Sequence, residues 1–150
     1  MGFITNNCFL LLIPILVWNF GFNSKLIKVG YLTDAEGKKT IGIIENILRA
    51  LIFLYPLFMR FEVKASDFIR NIIIYSVGSI IYFLTWIMII YFKNNKWSVS
   101  RIGLLAPAYT PLIWLIAIGL LGESIIYICM STVFIAVHTY HTYIKLNENK

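Results

Sequence analysis

Long apolar runs separated by polar breaks dominate the chain, and the breaks predict its shape. Five segments, at residues 3–22, 41–60, 69–92, 102–121 and 123–145, are apolar over enough length to cross a bilayer. A hydrocarbon core of ~30 Å takes ~20 residues of helix. The pattern predicts an all-α integral membrane protein, one polytopic domain folded as a five-helix transmembrane bundle. The first link, "NSKLIKVGYLTDAEGKKT", is long and turn-rich, whereas "RFEVKASDF" and "KNNKWSVSR" are short. The last break is little more than "GES", so the fourth and fifth segments must form a tight antiparallel hairpin. No internal repeat is visible, which argues against an inverted-repeat transporter core.

Composition agrees with the pattern. The 150 residues are 59% hydrophobic, 16% aromatic and 13% charged, and the mean hydropathy is +0.79. Soluble domains carry roughly 25% charged residues. The net charge of +6 raises a nucleic-acid reading, but the basic residues fall between apolar runs rather than in one patch, so no nucleic-acid partner is expected. They are better read as topology determinants. Lys25, Lys28, Lys38, Lys39, Lys93, Lys96, Arg101, Lys145 and Lys150 would share one side, against Arg60, Lys64 and Arg70 on the other. That bias places the N-terminus outside and the C-terminus in the cytoplasm of a cell (plasma) membrane. Abundant Ile, Asn and Lys fits a bacterial inner membrane.

Two local signals bear on processing and redox state. "CFLLLIPILVW" resembles a signal-peptide core, but no Lys or Arg precedes it and no A-x-A site follows, so an uncleaved spanning helix is expected. In "MGFITN", Asn6 stands where a myristoylation motif wants Ser or Thr. Cys8 and Cys129 lie in apolar runs without CxxC or metal-ligand spacing. They are expected to be buried and inert, with a disulfide as the alternative if the first and last helices are neighbours.

The chemistry gathers in "IGIIENILRALIFLYPLF", residues 41–58, where Glu45, Asn46 and Arg49 interrupt an apolar span. Uncompensated charge at mid-bilayer costs at least ~2.5–3.5 kcal/mol, so these groups should face the bundle interior or a wet cavity. Glu45 and Arg49, at i and i+4, can pair on one helix face. At 1.5 Å per residue, Glu45 and Arg49 lie roughly 7 and 13 Å from the cytoplasmic surface, and His138 roughly 10 Å. Asn19 on the first span, Tyr82 and Trp86 on the third, and Tyr109 and Thr110 on the fourth come to matching depth. The candidate ligand-binding set is therefore Asn19, Glu45, Asn46, Arg49, Tyr82, Trp86, Tyr109, Thr110 and His138. Trp18 and Trp114 are added as further aromatic walls.

Each feature has a plainer counterpart. The Glu–Arg pair can be glue that fixes helix register. Pro107 and Pro111, at i and i+4, each remove a backbone hydrogen bond, and the resulting kink either lines a cavity or only improves packing. His138 and His141 of "HTYHTY" are at i and i+3 and, with Glu45, could form a His–His–carboxylate metal set. Snorkelling of interfacial His and Tyr towards headgroups is favoured over that reading, no metal is assigned, and cofactors stay open.

Two family resemblances bear on these residues. Glu45-x-x-x-Arg49 and Phe134-x-x-x-His138 resemble parts of the EExxxR and FxxxH motifs of the CAAX-protease and bacteriocin-processing membrane family. In that family such Glu and His residues serve an intramembrane peptidase. Here Ile44 takes the place of the first glutamate and no later histidine motif follows, so the activity is not carried over. In architecture the chain is similar to translocator-type and sterol-isomerase-like membrane proteins, which implies an aromatic ligand pocket within five helices.

Three functions remain in view. The first is binding, with carriage as its extension, of a small molecule or lipid in a polar and aromatic pocket in the cytoplasmic half. The second is an intramembrane, hydrolase-like enzyme with Glu45 and His138 as its acid–base candidates and Arg49 stabilising an anion. The third is an accessory or structural subunit, as a homo-oligomer or beside a partner membrane protein. Gly78, Ser79, Gly119 and Gly122 would be its contacts.

Overall fold

The computed structural model describes residues 6–28, 39–61, 63 and 66–148. Most of the long first link, and with it Lys38, lies outside the described residues, as do Lys64, Lys150 and the start of the first predicted span. Among the described residues the chain is helical. A 3₁₀ turn, Cys8–Leu12, leads into α1, Ile13–Lys28. Then come α2, Lys39–Leu54, with a 3₁₀ extension over Tyr55–Phe58, and α3, Phe68–Tyr91. The short α4, Lys96–Val99, precedes α5, Arg101–Tyr109, α6, Pro111–Leu121, and α7, Ile125–Glu148.

Four helical stretches are long and apolar enough to cross a membrane: Lys39–Phe58, Phe68–Tyr91, Arg101–Leu121 and Ile125–Asn147. These match four of the five expected segments to within a few residues at each end. The first segment differs, because its apolar helix, Cys8–Phe22, is shorter than the other four. Asn7 sets its start: the Asn7 side chain accepts from the Phe9 amide at 2.8 Å and donates to the Leu57 carbonyl at 2.7 Å. A single antiparallel bridge between Asn7 and Arg60 ties this end to the end of α2.

The fourth segment is interrupted at one of its prolines, Pro111, while Pro107 lies inside α5. Pro111 has no N–H to give and opens α6, so the chain turns at Thr110 between α5 and α6. The Ala106 carbonyl there accepts both the Thr110 amide, at 2.9 Å, and the Thr110 hydroxyl, at 2.7 Å. The hairpin expected at "GES" is present: Gly122 ends α6, and Glu123 adopts a left-handed φ of 50° before α7 begins.

Side-chain contacts set the helix directions. Tyr75 donates to the Leu11 carbonyl, Tyr82 to Asn19, and Lys25 to Tyr91, so α1 and α3 run parallel. Gly78 faces Ile113 and Trp114, which makes α3 and α6 antiparallel neighbours. Tyr127 reaches the Ile52 carbonyl at 3.3 Å from α7, opposite in direction to α2. α6 is the most enclosed of the spans, and Trp114, Leu115 and Ile118 are part of the core. On α2 the apolar residues Ile43, Ile47, Leu51 and Leu54 instead face outwards, as expected where lipid is the solvent.

Two sequence expectations change here. Cys8 is buried but Cys129 is exposed, and both are free thiols, so neither the disulfide nor the pair of buried thiols describes them. The small residues reserved for a partner are used inside the bundle. A Cβ on Gly78 would sit 2.8 Å from Ile113 Cγ2, one on Gly119 2.4 Å from Ile128 Cγ1, and one on Gly122 2.3 Å from Met59 Cε. Ser79 is buried as well. These positions let helices of the same chain approach closely.

Candidate functional site

The site is built where α2 and α7 cross. On α2, Gly42, Glu45, Asn46 and Arg49 recur at the helical spacing that keeps them on adjoining parts of one face, opposite the lipid-facing isoleucines. On α7, His138, His141 and Lys145 follow i, i+3, i+7 and so share a face. The antiparallel approach of these two faces places one carboxylate between two imidazoles.

Glu45 is buried, with only 7% of its side chain exposed. His138 Nδ1 donates to Glu45 Oε1 at 3.0 Å, and His141 Nδ1 donates to Glu45 Oε2 at 2.5 Å. Arg49 Nη2 also donates to Oε1, across one helical turn. Both carboxylate oxygens are thus engaged, and one cation offsets the buried charge. Because each imidazole uses Nδ1 on the carboxylate, Nε2 is the nitrogen left for anything else. The two rings are not equivalent. His141 is buried against α2, where a Cβ on Gly42 would lie 3.4 Å from its Cε1. The His138 side chain is 25% exposed, and its ring stacks on Phe134 with centroids 5.5 Å apart.

These groups border a cavity of about 390 Å³. α2 supplies Gly42, Glu45, Asn46 and Arg49, and α7 supplies His138, His141, Thr142, Lys145 and Leu146. Tyr82 and Trp86 of α3 and Pro107 and Ala108 of α5 complete the wall. Thr142 gives its hydroxyl proton to the His138 carbonyl at 2.8 Å, so it faces a ligand as an acceptor. The Trp86 indole N–H is buried with no hydrogen-bond partner among the described residues.

Of the expected ligand-binding residues, Glu45, Asn46, Arg49, Tyr82, Trp86 and His138 line this cavity. Asn19, Tyr109 and Thr110 do not. Asn19 stands behind Tyr82 and accepts its hydroxyl proton at 2.7 Å, a supporting position. Thr110 is buried and spends its hydroxyl on its own helix, and Tyr109 points to the exposed side of α5. Trp18 stacks with Phe22 and Phe83, and Trp114 packs against the Tyr82 ring, so these indoles also support the wall rather than form it.

His141 and Lys145 entered the sequence reading only as a metal candidate and a topology charge. Their spacing from His138 was the signal that joined them to one face. The metal set does not assemble: Glu45 meets each histidine through its Nδ1, as a hydrogen-bond acceptor rather than a neighbouring ligand. Among the described residues no group of three His, Cys, Asp or Glu is arranged to hold a metal ion. No protein-family model, curated protein or solved structure matches this chain.

Proposed function

We propose that this protein binds a small molecule or lipid, and carries it, through the cavity between α2 and α7. The observation that supports this reading is Glu45 held by His138, His141 and Arg49 on the wall of a cavity large enough for part of a drug-sized ligand. Helix glue needs two partners, yet these polar groups border open volume together with aromatic side chains. In the same reading the chain crosses the plasma membrane five times. The helical path from Cys8 to Lys28 spans roughly 34 Å at 3₁₀ and α rises, enough for a first crossing. The basic residues Lys93, Lys96, Arg101 and Lys145 then put the cavity on the cytoplasmic side. Native mass spectrometry of gently solubilised protein, followed by denaturing extraction, tests the reading. A stoichiometric small molecule or single lipid class, lost in Arg49→Ala, is the expected result. A clean apo mass would return the cluster to the role of glue.

The 3.0 Å contact between Glu45 and His138 favours one second reading, an intramembrane hydrolase with these two as acid–base pair. Incubation with a total lipid extract separates the two. Product released by the wild type and not by His138→Gln would establish turnover, whereas binding without new products leaves a binding protein.

A further inference from the structure

The cavity walls are unevenly charged, and the imbalance points to a ligand class. Among its described lining residues Glu45 is the single acid, while Arg49 and Lys145 are both cations, leaving one positive charge in excess. We infer that the cavity takes the oxyanion head of an amphiphile, a phosphoryl or carboxylate group with an apolar tail. This rests on the ligand-binding reading and narrows it.

Three features of the wall support an oxyanion. The Glu45 charge is turned inwards: both its oxygens accept hydrogen bonds from His138, His141 and Arg49, so it neither attracts a cation strongly nor repels an anion. The two cationic side chains on the wall keep donors to spare. Arg49 gives Glu45 one end of a guanidinium that carries five N–H bonds, and its side chain is 44% exposed. Lys145 lies one turn beyond His141 and also borders the cavity. A planar fork and a point charge suit an acceptor-only ligand, and phosphoryl and carboxylate oxygens are that ligand. Finally, Tyr82, Pro107, Ala108 and Leu146 make the remaining wall apolar, which suits the first part of a tail. The volume of about 390 Å³ holds a headgroup and its neighbouring carbons rather than a whole lipid.

The test uses the full-length chain, stripped of lipid in detergent. Affinities are measured for phosphatidic acid, for the diacylglycerol with the same chains, and for inorganic phosphate. Phosphatidic acid is expected to bind at least tenfold tighter than diacylglycerol. Lys145→Gln should cut that preference about fivefold, the effect of one basic residue near a headgroup. Lys145→Arg should keep the preference, and so should Lys93→Gln, which removes an exposed charge outside the cavity. If inorganic phosphate displaces phosphatidic acid, the natural source is a soluble phosphorylated compound. If it does not, the source is a membrane lipid; both results support the oxyanion. Equal binding of phosphatidic acid and diacylglycerol, unchanged by Lys145→Gln, would overturn the charge inference while leaving a ligand cavity standing. No binding of any of the three to protein that still unfolds cooperatively would remove both.

Discussion

Two helix contacts in this bundle solve the same problem in opposite ways. Where α3 meets α6, the seam is close at its middle: Gly78 lets the backbone of Trp114 approach to where a Cβ would be 2.9 Å from its nitrogen. Where α2 meets α7, the seam is polar and open, with Glu45 between two histidines beside a cavity. In a membrane, lipid is as apolar as leucine, so helices associate through close packing or through hydrogen bonds. The first seam is packed to contact at Gly78 and opens only towards its end, where Asn71 and Gly119 border another cavity of about 380 Å³. The second uses hydrogen bonds, which hold the helices while keeping a space between them. The difference between the two seams is what lines the open volume: only the second sets a buried carboxylate between two imidazoles.

The largest effect should come from the close-packed seam at Gly78. Gly78→Val forces a branched side chain into the backbone of α6 and should destabilise the bundle by about 3 kcal/mol, read as the midpoint of denaturant or detergent unfolding. Gly21 has nothing within 4 Å of an added Cβ, so Gly21→Val should stay within about 0.5 kcal/mol. Equal losses in the two variants would mean that close approach is not what holds α3 to α6.

Next in size is the polar seam. Glu45→Leu removes the acceptor of two imidazole N–H groups and should cost about 1–3 kcal/mol. It should also abolish ligand capture in native mass spectrometry. Full ligand binding in that variant would disconnect the cluster from the cavity. Within the cluster, a double-mutant cycle should give about 1 kcal/mol of coupling for Glu45 with His141 and about half that for Glu45 with His138, because His138 is the more exposed. The reverse order would show that the buried ring is the weaker partner. A comparably small effect is expected at the hydrogen bond behind the wall: Tyr82→Phe loses its bond to Asn19, about 0.6 kcal/mol, with ligand affinity reduced less than in any Glu45 variant.

The site was legible in the sequence to the extent that its residues are costly in lipid. Glu45 and Arg49 announce themselves because a charge in an apolar run needs a partner, and i,i+4 spacing offers one. Counting 1.5 Å per residue puts His138 at the level of Glu45, and in the fold the two meet at 3.0 Å. Depth does not fix direction, however. Asn19 and Thr110 have matching depth but do not line the cavity: Asn19 accepts the Tyr82 hydroxyl proton, and Thr110 spends its hydroxyl on the Ala106 carbonyl of its own helix. Gly42 and Ala108, which line the cavity, carry no signal at all, since their contribution is the absence of bulk.

The sequence by itself determined the helical class, the positions of the long spans, the tight turn before α7 and the presence of buried charge. Each follows from local composition, because lipid forbids unpaired backbone and penalises charge wherever the chain places them. Only the tertiary structure decided that α7 lies on α2, that Gly78 and Gly119 serve the chain itself, and that one carboxylate holds both histidines through Nδ1. Those outcomes depend on the rotation of each helix about its axis. Rotation is set by how distant surfaces interlock, which no stretch of sequence records locally.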